Sequence, residues 1–356
     1  MIFKVREIVS RGAAAVAMAG SLLAPHSARA ADPFIWGDKT HVADAGWARM
    51  IPLRGGDWLC VDNLYPKPNS ILQLELSSDK GRSWKPLGTV SEPGRNLDNG
   101  SLIQLPNGDI LLTGRSVVEH HTPGSVMSFH LPVYRSKDGG KSWTFISQVD
   151  TSEPPPYVAG RPSQGLWEPH FYLLDDGRLA CAYADEKHSL DKPAYSQIVG
   201  QRISDDGGVT WGEEIVVAAQ IGGGAQRPGM PIITRMKNGR YIAVYEVVGI
   251  GNADVYCKTS PDGIVWPEGI GQPIPGQHAG PWVTSLRDGR LVVTSCENRI
   301  SYSTDYGVTW QLAEAQAVPL KFVFTWPAIY QTADDEIGVM TTKDGVNIRW
   351  GNLLPQ

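Results

Sequence analysis

Ser77-Ser78-Asp79-Lys80-Gly81-Arg82-Ser83-Trp84 places a turn-forming carboxylate, a glycine and a large indole within eight residues, and the pattern recurs along the chain. Ser136-x-Asp138-x-Gly140-x-Ser142-Trp143, Ser204-x-Asp206-x-Gly208-x-Thr210-Trp211 and Ser303-x-Asp305-x-Gly307-x-Thr309-Trp310 repeat it, and Ser260-Pro261-Asp262-Gly263-Ile264-Val265-Trp266 is a copy one residue short. Each position has a physical task in a hairpin. The Asp accepts hydrogen bonds from the backbone of its own turn, the Gly supplies a positive φ, and the Trp packs the hairpin against its sheet. Such boxes are structural elements and carry no chemistry themselves.

Between them runs a second repeat, a polar turn with an apolar run on either side. It occurs at Arg54-Gly55-Gly56-Asp57, Pro106-Asn107-Gly108-Asp109, Asp175-Asp176-Gly177-Arg178, Lys237-Asn238-Gly239-Arg240 and Arg287-Asp288-Gly289-Arg290, with a degenerate sixth at Ala333-Asp334-Asp335-Glu336. Each reads as the hairpin joining two inner strands. The box Trp follows the hairpin glycine by 21 to 35 residues in the first five units, where the turn between the outer strands of a four-stranded blade belongs. Two repeats in constant phase predict an all-β, six-bladed β-propeller, rather than a sandwich or an open barrel.

The rest of the chain bounds the answer. Lys4, Arg6 and Arg11 precede a short apolar stretch, Gly12 to Ala24, and Ala28-Arg29-Ala30 fits a cleavage site, so residues 1–30 read as an export signal and 31–356 as one propeller domain. The apolar stretch is shorter than the roughly 20 residues a membrane helix needs. Losing Lys4, Arg6, Arg11, Arg29 and Glu7 takes the net charge from -5 to -8, which argues against a nucleic-acid partner. The expected product is a secreted or periplasmic monomer, free of the membrane after cleavage. Cys60, Cys181, Cys257 and Cys296 lie in apolar runs without C-x-x-C spacing, which favours buried thiols over disulfides in an exported protein.

In a propeller the ends of the inner strands at one rim line a central pocket. About nine residues before the hairpins stand Trp47 and Arg49, Asp98 and Asn99, Trp167-Glu168-Pro169-His170, Arg227-Pro228-Gly229-Met230-Pro231, Gln277-His278 with Trp282, and Trp326. Seven or eight residues after them stand Arg115, Asp185, Tyr245-Glu246 and Glu297. Charges at the ends of apolar strands need a reason, because an unpaired buried carboxylate is costly. Glu168 and Glu246, in the third and fourth blades, make the pair that glycoside hydrolysis requires, unless Arg227 or Arg115 merely pairs with them for structure. Trp167, Trp282 and Trp326 either stack on sugar rings or fill the axis. His170, His188 and His278 lack the spacing of a metal set, and no metal or other cofactor is expected.

Asp boxes in this phase resemble those of the sialidase superfamily, from about Trp36 to Trp350. Trp167-Glu168-Pro169-His170-Phe171, Arg227-Pro228-Gly229-Met230-Pro231 and Tyr245-Glu246 resemble the motifs of glycoside hydrolase family 93, exo-α-1,5-L-arabinanases on the same sialidase-like propeller. The resemblance implies a retaining enzyme that releases arabinobiose from arabinan, with Glu168 as acid/base and Glu246 as nucleophile. Arg49, Asn99, Arg115, Trp167, His170, Asp185, Arg227, Tyr245, His278, Trp282 and Trp326 are the candidate substrate contacts around them. A sialidase would carry an arginine triad and a tyrosine where Trp326 stands; Arg49 in Arg49-Met50-Ile51-Pro52 is the one candidate for such an arginine. Three other readings stay open: a sialidase or other glycosidase, a carbohydrate-binding propeller whose glutamates only hydrogen-bond a ligand, and a lyase using a Tyr/His pair.

Overall fold

A computed structural model describes residues 33–318, 324–355. The proposed export signal over 1–30 lies outside them. Strand β1 (Phe34–Ala43) is followed by five blades formed in chain order. They are β2–β5 (Gly46–Pro52, Trp58–Leu64, Ile71–Ser77, Lys85–Val90), β6–β9 (Asn96–Gln104, Ile110–Val118, Ser128–Ser136, Thr144–Ser152) and β10–β13 (Leu166–Leu173, Leu179–Asp185, Ile198–Ser204, Ile215–Ala218). Next come β14–β17 (Arg227–Arg235, Tyr241–Val248, Asp254–Ser260, Gln272–His278) and β18–β21 (Trp282–Ser285, Leu291–Thr294, Ile300–Ser303, Gln311–Leu312). The sixth blade takes β22–β24 (Ala328–Ala333, Glu336–Thr341, Val346–Leu353) and is completed by β1, which pairs antiparallel with β24. The predicted six four-stranded blades are present, and the last one is closed by the first strand.

The inner hairpins of the first five blades share one pattern of bonds. Leu53 N–H donates to Asp57 O at 2.8 Å and Gly56 N–H to Leu53 O at 2.9 Å, and the same two bonds recur at Leu105, Leu174, Met236 and Leu286. The glycines sit at φ between +85° and +103°, where a Cβ would be strained. In the boxes the staple is formed as expected. Ser83 N–H and Oγ donate to Asp79 at 2.8 and 2.5 Å, Gly81 N–H donates to Ser77 Oγ at 2.7 Å, and Trp84 Nε1 donates to Gly81 O at 3.0 Å. Each box serine pairs with the first residue after its blade's inner hairpin: Trp58↔Ser77, Ile110↔Ser136, Leu179↔Ser204, Tyr241↔Ser260 and Leu291↔Ser303. Boxes and inner hairpins therefore share one rim, and the opposite rim is left to the ends of the inner strands.

Apolar burial is distributed between blades. Six separate clusters of buried side chains each join two neighbouring blades, such as Leu59, Leu72, Leu97 and Leu112 between the first and second. All four cysteines are free and buried.

Candidate active site

Nine residues before each inner hairpin, at the rim opposite the boxes, the chain turns left-handed once per blade. The six residues are Trp47 (φ 37°), Asn99 (53°), Glu168 (46°), Met230 (52°), Gly280 (51°) and Trp326 (39°). In the first four blades the inner ladder skips at this point, between Gly46 and Arg49, Asp98 and Ser101, Trp167 and His170, and Gly229 and Ile232. A non-glycine residue at positive φ costs on the order of 1 kcal/mol, and strain of this kind gathers where side chains must be re-aimed at a site. Here it forms a ring around the axis.

Glu168, in the third blade, is one member of the ring, and Glu246 stands at the same rim near the end of β15, the second strand of the fourth blade. Gly229 pairs directly with Glu246, while the backbone of the adjacent Met230 favours the charged form of Glu168. The two carboxyls thus flank one short piece of β14. The Glu168 carboxyl is raised to about 7: burial pushes it up most, the Arg115 cation pulls it down, and the Glu246 charge adds to the rise. Glu246 is also raised by burial, but it is opposed by the Gly280 amide, which donates to Oε2 at 2.7 Å, and by the Arg227 cation. Gly280 has no room for a side chain: a Cβ there would stand 2.9 Å from Trp326 Cδ1 and 3.1 Å from Cys296 Sγ.

Around the pair, Arg115 makes a bidentate ion pair with Asp98 (2.7 and 3.0 Å) and lies 5.0 Å from the Trp167 ring centroid. Asn99 is half-buried in the ring, and Trp47 and Trp326, with centroids 6.0 Å apart, form an aromatic wall. One layer below lies Arg49, buried, with its guanidinium 4.3 Å from the Trp47 ring and 4.9 Å from the Trp282 ring. It donates to Ala48 O and Trp326 O, and its Nη2 has no hydrogen-bond partner among the described residues. Burial lowers its pKa. Trp282 Nε1 is bonded to Ile329 O at 3.0 Å, and His170, depressed to about 4 by burial, bonds Ile233 O. These residues form the floor. Beneath them the axis opens into a cavity of about 520 Å³ running toward Arg235 and Arg287 at the box rim.

Three predicted contacts lie elsewhere. Side chains alternate between the faces of a strand, so the neighbour of a site residue points away. Tyr245, next to Glu246, is fully buried between blades with its hydroxyl on Ile270 O at 2.8 Å. In the third blade the position equivalent to Glu246 is Ala184, paired with Trp167, and Asp185 therefore faces out of the site. It lies with His188 and Glu214 in a group whose potential ligand atoms fall within 4.8 Å of one another, with Lys187 Nζ 3.3 Å from Asp185. His278, expected on an inner strand, ends the outermost strand of the fourth blade and pairs with Asp254 at 2.8 Å. Arg227 stands at the edge of the site, bonded to Glu186 and Gln197. Gly280 was not foreseen, because it acts through its amide. Its only signal is the nine-residue spacing to Gly289.

Fold and site together define an Asp-box propeller with two acids among the inner-strand ends that ring its axis. The model of the BNR repeat-like domain matches residues 88–339, well over half of the chain, and the protein belongs to that family. No curated protein sequence matches it significantly. Among solved structures it is similar to an α-L-arabinofuranosidase from Fusarium graminearum in complex with an iminosugar inhibitor (TM-score 0.73, 20% identity, covering 89% of this chain and 97% of that one). It is equally similar to the Penicillium chrysogenum α-L-arabinanase complexed with arabinobiose (0.73, 21%, 90% and 98%). The NanB sialidase of Streptococcus pneumoniae shares the fold more distantly (0.60, 11%, 91% and 71%).

Proposed function

We propose that the protein is a secreted, retaining exo-glycosidase of the arabinanase type that releases arabinobiose from arabinan. The observation that carries this reading is a pair of half-buried carboxyls that flank one short piece of β14 at the ring, each with a neighbouring backbone group and an arginine cation acting on it. Burial raises both, Glu168 to about 7, against the Arg115 cation and the Met230 backbone at Glu168 and against the Gly280 amide and the Arg227 cation at Glu246. A carboxyl raised to about 7 suits the proton donor, and the family resemblance assigns Glu168 as acid/base and Glu246 as nucleophile. The neighbours named as arabinanase and arabinofuranosidase support the choice of sugar.

In the first step Glu246 attacks the anomeric carbon as Glu168 protonates the departing glycosidic oxygen. In the second, Glu168 takes a proton from water, which attacks the same carbon and releases Glu246. Trp326, half-buried and backed by Trp47, is the ring placed to stack on the sugar.

Incubation with arabino-oligosaccharides and with sialosides, read by chromatography of products and by the anomeric NMR signal of the first sugar formed, tests this reading. Arabinobiose with retained configuration is expected; an inverted product would remove the covalent step. Glu246→Ala should be inactive on every substrate. Glu168→Ala should keep turnover on an activated aryl glycoside while losing roughly 100 to 10,000-fold on the oligosaccharide, the usual worth of general-acid assistance. Binding without hydrolysis by the wild type would favour a carbohydrate-binding propeller. N-terminal sequencing of protein recovered outside the cytoplasm should begin at Ala31.

A further inference from the structure

Beside the glutamates, between the third and fourth blades, a pocket of about 510 Å³ opens on the same rim. Ser163, Glu186, Tyr195, Ser196, Ala225 and Arg227 line it. Its volume falls in the range of small-ligand sites, whereas the recess directly under Glu168 measures only about 10 Å³.

The pocket is built into the strands that hold the carboxyls. Arg227 begins β14, two residues before the glycine that pairs with Glu246, and its cation acts on Glu246. On the other wall the Glu186 carboxylate accepts Ser163 Oγ–H at 2.6 Å and Gly165 N–H at 3.1 Å. Gly165 is three residues from Glu168, no more than about 10 Å of extended chain. The floor is polar and fixed. Glu186 and Gln197 are buried, and both accept from Arg227 Nη2. The loop bearing Tyr195 is tied across the cleft, with Ser196 N–H donating to Gly224 O and Gly224 N–H to Ala194 O, each at 2.9 Å. Tyr195 is half-buried, and its hydroxyl makes no hydrogen bond among the described residues.

The chemistry selects the ligand. Arg227 is balanced by Glu186, so the pocket carries no net formal charge to attract an anion. It offers the remaining guanidinium N–H groups, a carboxylate and hydroxyls for hydrogen bonding, with one aromatic face for packing. That set suits an uncharged polyhydroxylated ring. We propose that this pocket holds a further sugar residue of the chain cleaved between Glu168 and Glu246, an inference that rests on the glycosidase reading above.

The test is a ladder of arabino-oligosaccharides from triose to hexaose. Wild type should gain kcat/KM with length. Tyr195→Ala should lose the gain, roughly tenfold at the hexaose, the size of one lost aromatic contact, while matching wild type on the shortest chain it cleaves. Ala225→Trp, which fills the pocket instead of emptying it, should flatten the ladder as well. Wild-type length dependence in both variants would overturn the proposal. If the wild type hydrolyses none of these substrates, the glycosidase reading fails separately, and calorimetry decides the pocket. Arabinohexaose should bind Glu246→Gln about tenfold more tightly than Glu246→Gln combined with Tyr195→Ala; equal affinity, or no binding to either, would overturn the pocket too.

Discussion

Glu246 depends on a residue that contributes no side chain. Gly280 donates its amide from a left-handed conformation with Trp326 and Cys296 packed where a Cβ would go. Gly280→Ala should therefore leave the propeller folded but move the amide away from Oε2. A misplacement of about 1 Å is worth on the order of 100-fold in rate, and kcat should fall by that order with an unchanged circular dichroism spectrum. The acid limb of the pH profile should also rise, since the lost donor had favoured the charged form of Glu246. Unchanged kcat and pH profile would show that the amide contact has no part in the reaction.

Glu168 sets the other limb. Its proton is needed for leaving-group protonation, so kcat/KM should decline as pH rises through about 7. Arg115 pulls that value down, and Arg115→Gln should shift the decline to higher pH, doubly so because Asp98 would lose its partner and repel Glu168 more strongly. The same carboxyl is a cost to the fold. Its folded pKa lies above the unfolded value near 4.5, so its contribution to stability is favourable below that value and is lost as pH rises toward about 7. Glu168→Gln should consequently stabilise the protein at pH 8 by on the order of 3 kcal/mol, one pKa unit being about 1.4 kcal/mol, while leaving stability at pH 4 nearly unchanged. Thermal melts at the two pH values compare them directly. In the sequence, Glu168 and Glu246 were visible as charges at the ends of apolar strands. Asp185 and Tyr245 were indistinguishable from them, because a shift of one residue reverses the face and only the ladder register fixes it.

At the scale of the element, the Asp boxes are legible because everything that forms them lies within eight residues. Their aspartates sit at the rim away from the ring, and donors within the turn hold Asp79 and Asp206 down at about 2. A depressed carboxylate contributes stability above its unfolded value near 3.8 and loses it as pH falls toward 2. Asp206→Ala should cost about 1 kcal/mol at pH 7, the order of a lost side-chain cap, with kcat unaffected. The gap between wild type and variant should close as pH falls toward 2. Urea titrations at several pH values read this, and a gap independent of pH would mean that the carboxylate is not what staples the hairpin. Even the short copy, Ser260 to Trp266, keeps its staple, with Ile264 and Val265 amides on Asp262 at 2.9 and 2.8 Å. The left-handed ring was less visible, since four of its six members are bulky residues that sequence patterns do not associate with positive φ.

At the scale of the molecule, the six apolar clusters lie between blades, so stability is shared around a ring with no common centre. A ring of this kind is only as strong as its closure. Closure here is the pairing of β1 with β24 from Phe34↔Leu353 to Ala43↔Val346, which joins two stretches some 300 residues apart. Nothing local in Phe34–Ala43 announces that partner; the sequence identified a sixth hairpin but not the strand that completes its blade. Phe34 anchors the closure, buried at 2% exposure against Leu286, Val292, Ile300 and Leu353 between the fifth and sixth blades. Phe34→Ala should lower stability by about 3 to 5 kcal/mol, the usual cost of emptying a buried Phe site, although it lies far from the glutamates. Removing residues 33–43 altogether should do more, because β24 would become an unpaired edge open to aggregation. Urea unfolding followed by tryptophan fluorescence and by circular dichroism separates these effects. Wild type and Phe34→Ala should each give one coincident transition, the latter at a lower midpoint, with activity per folded molecule preserved. The truncated chain should lose the coincident transition or aggregate, and a truncated protein that unfolds like wild type would show that the ring does not need its first strand.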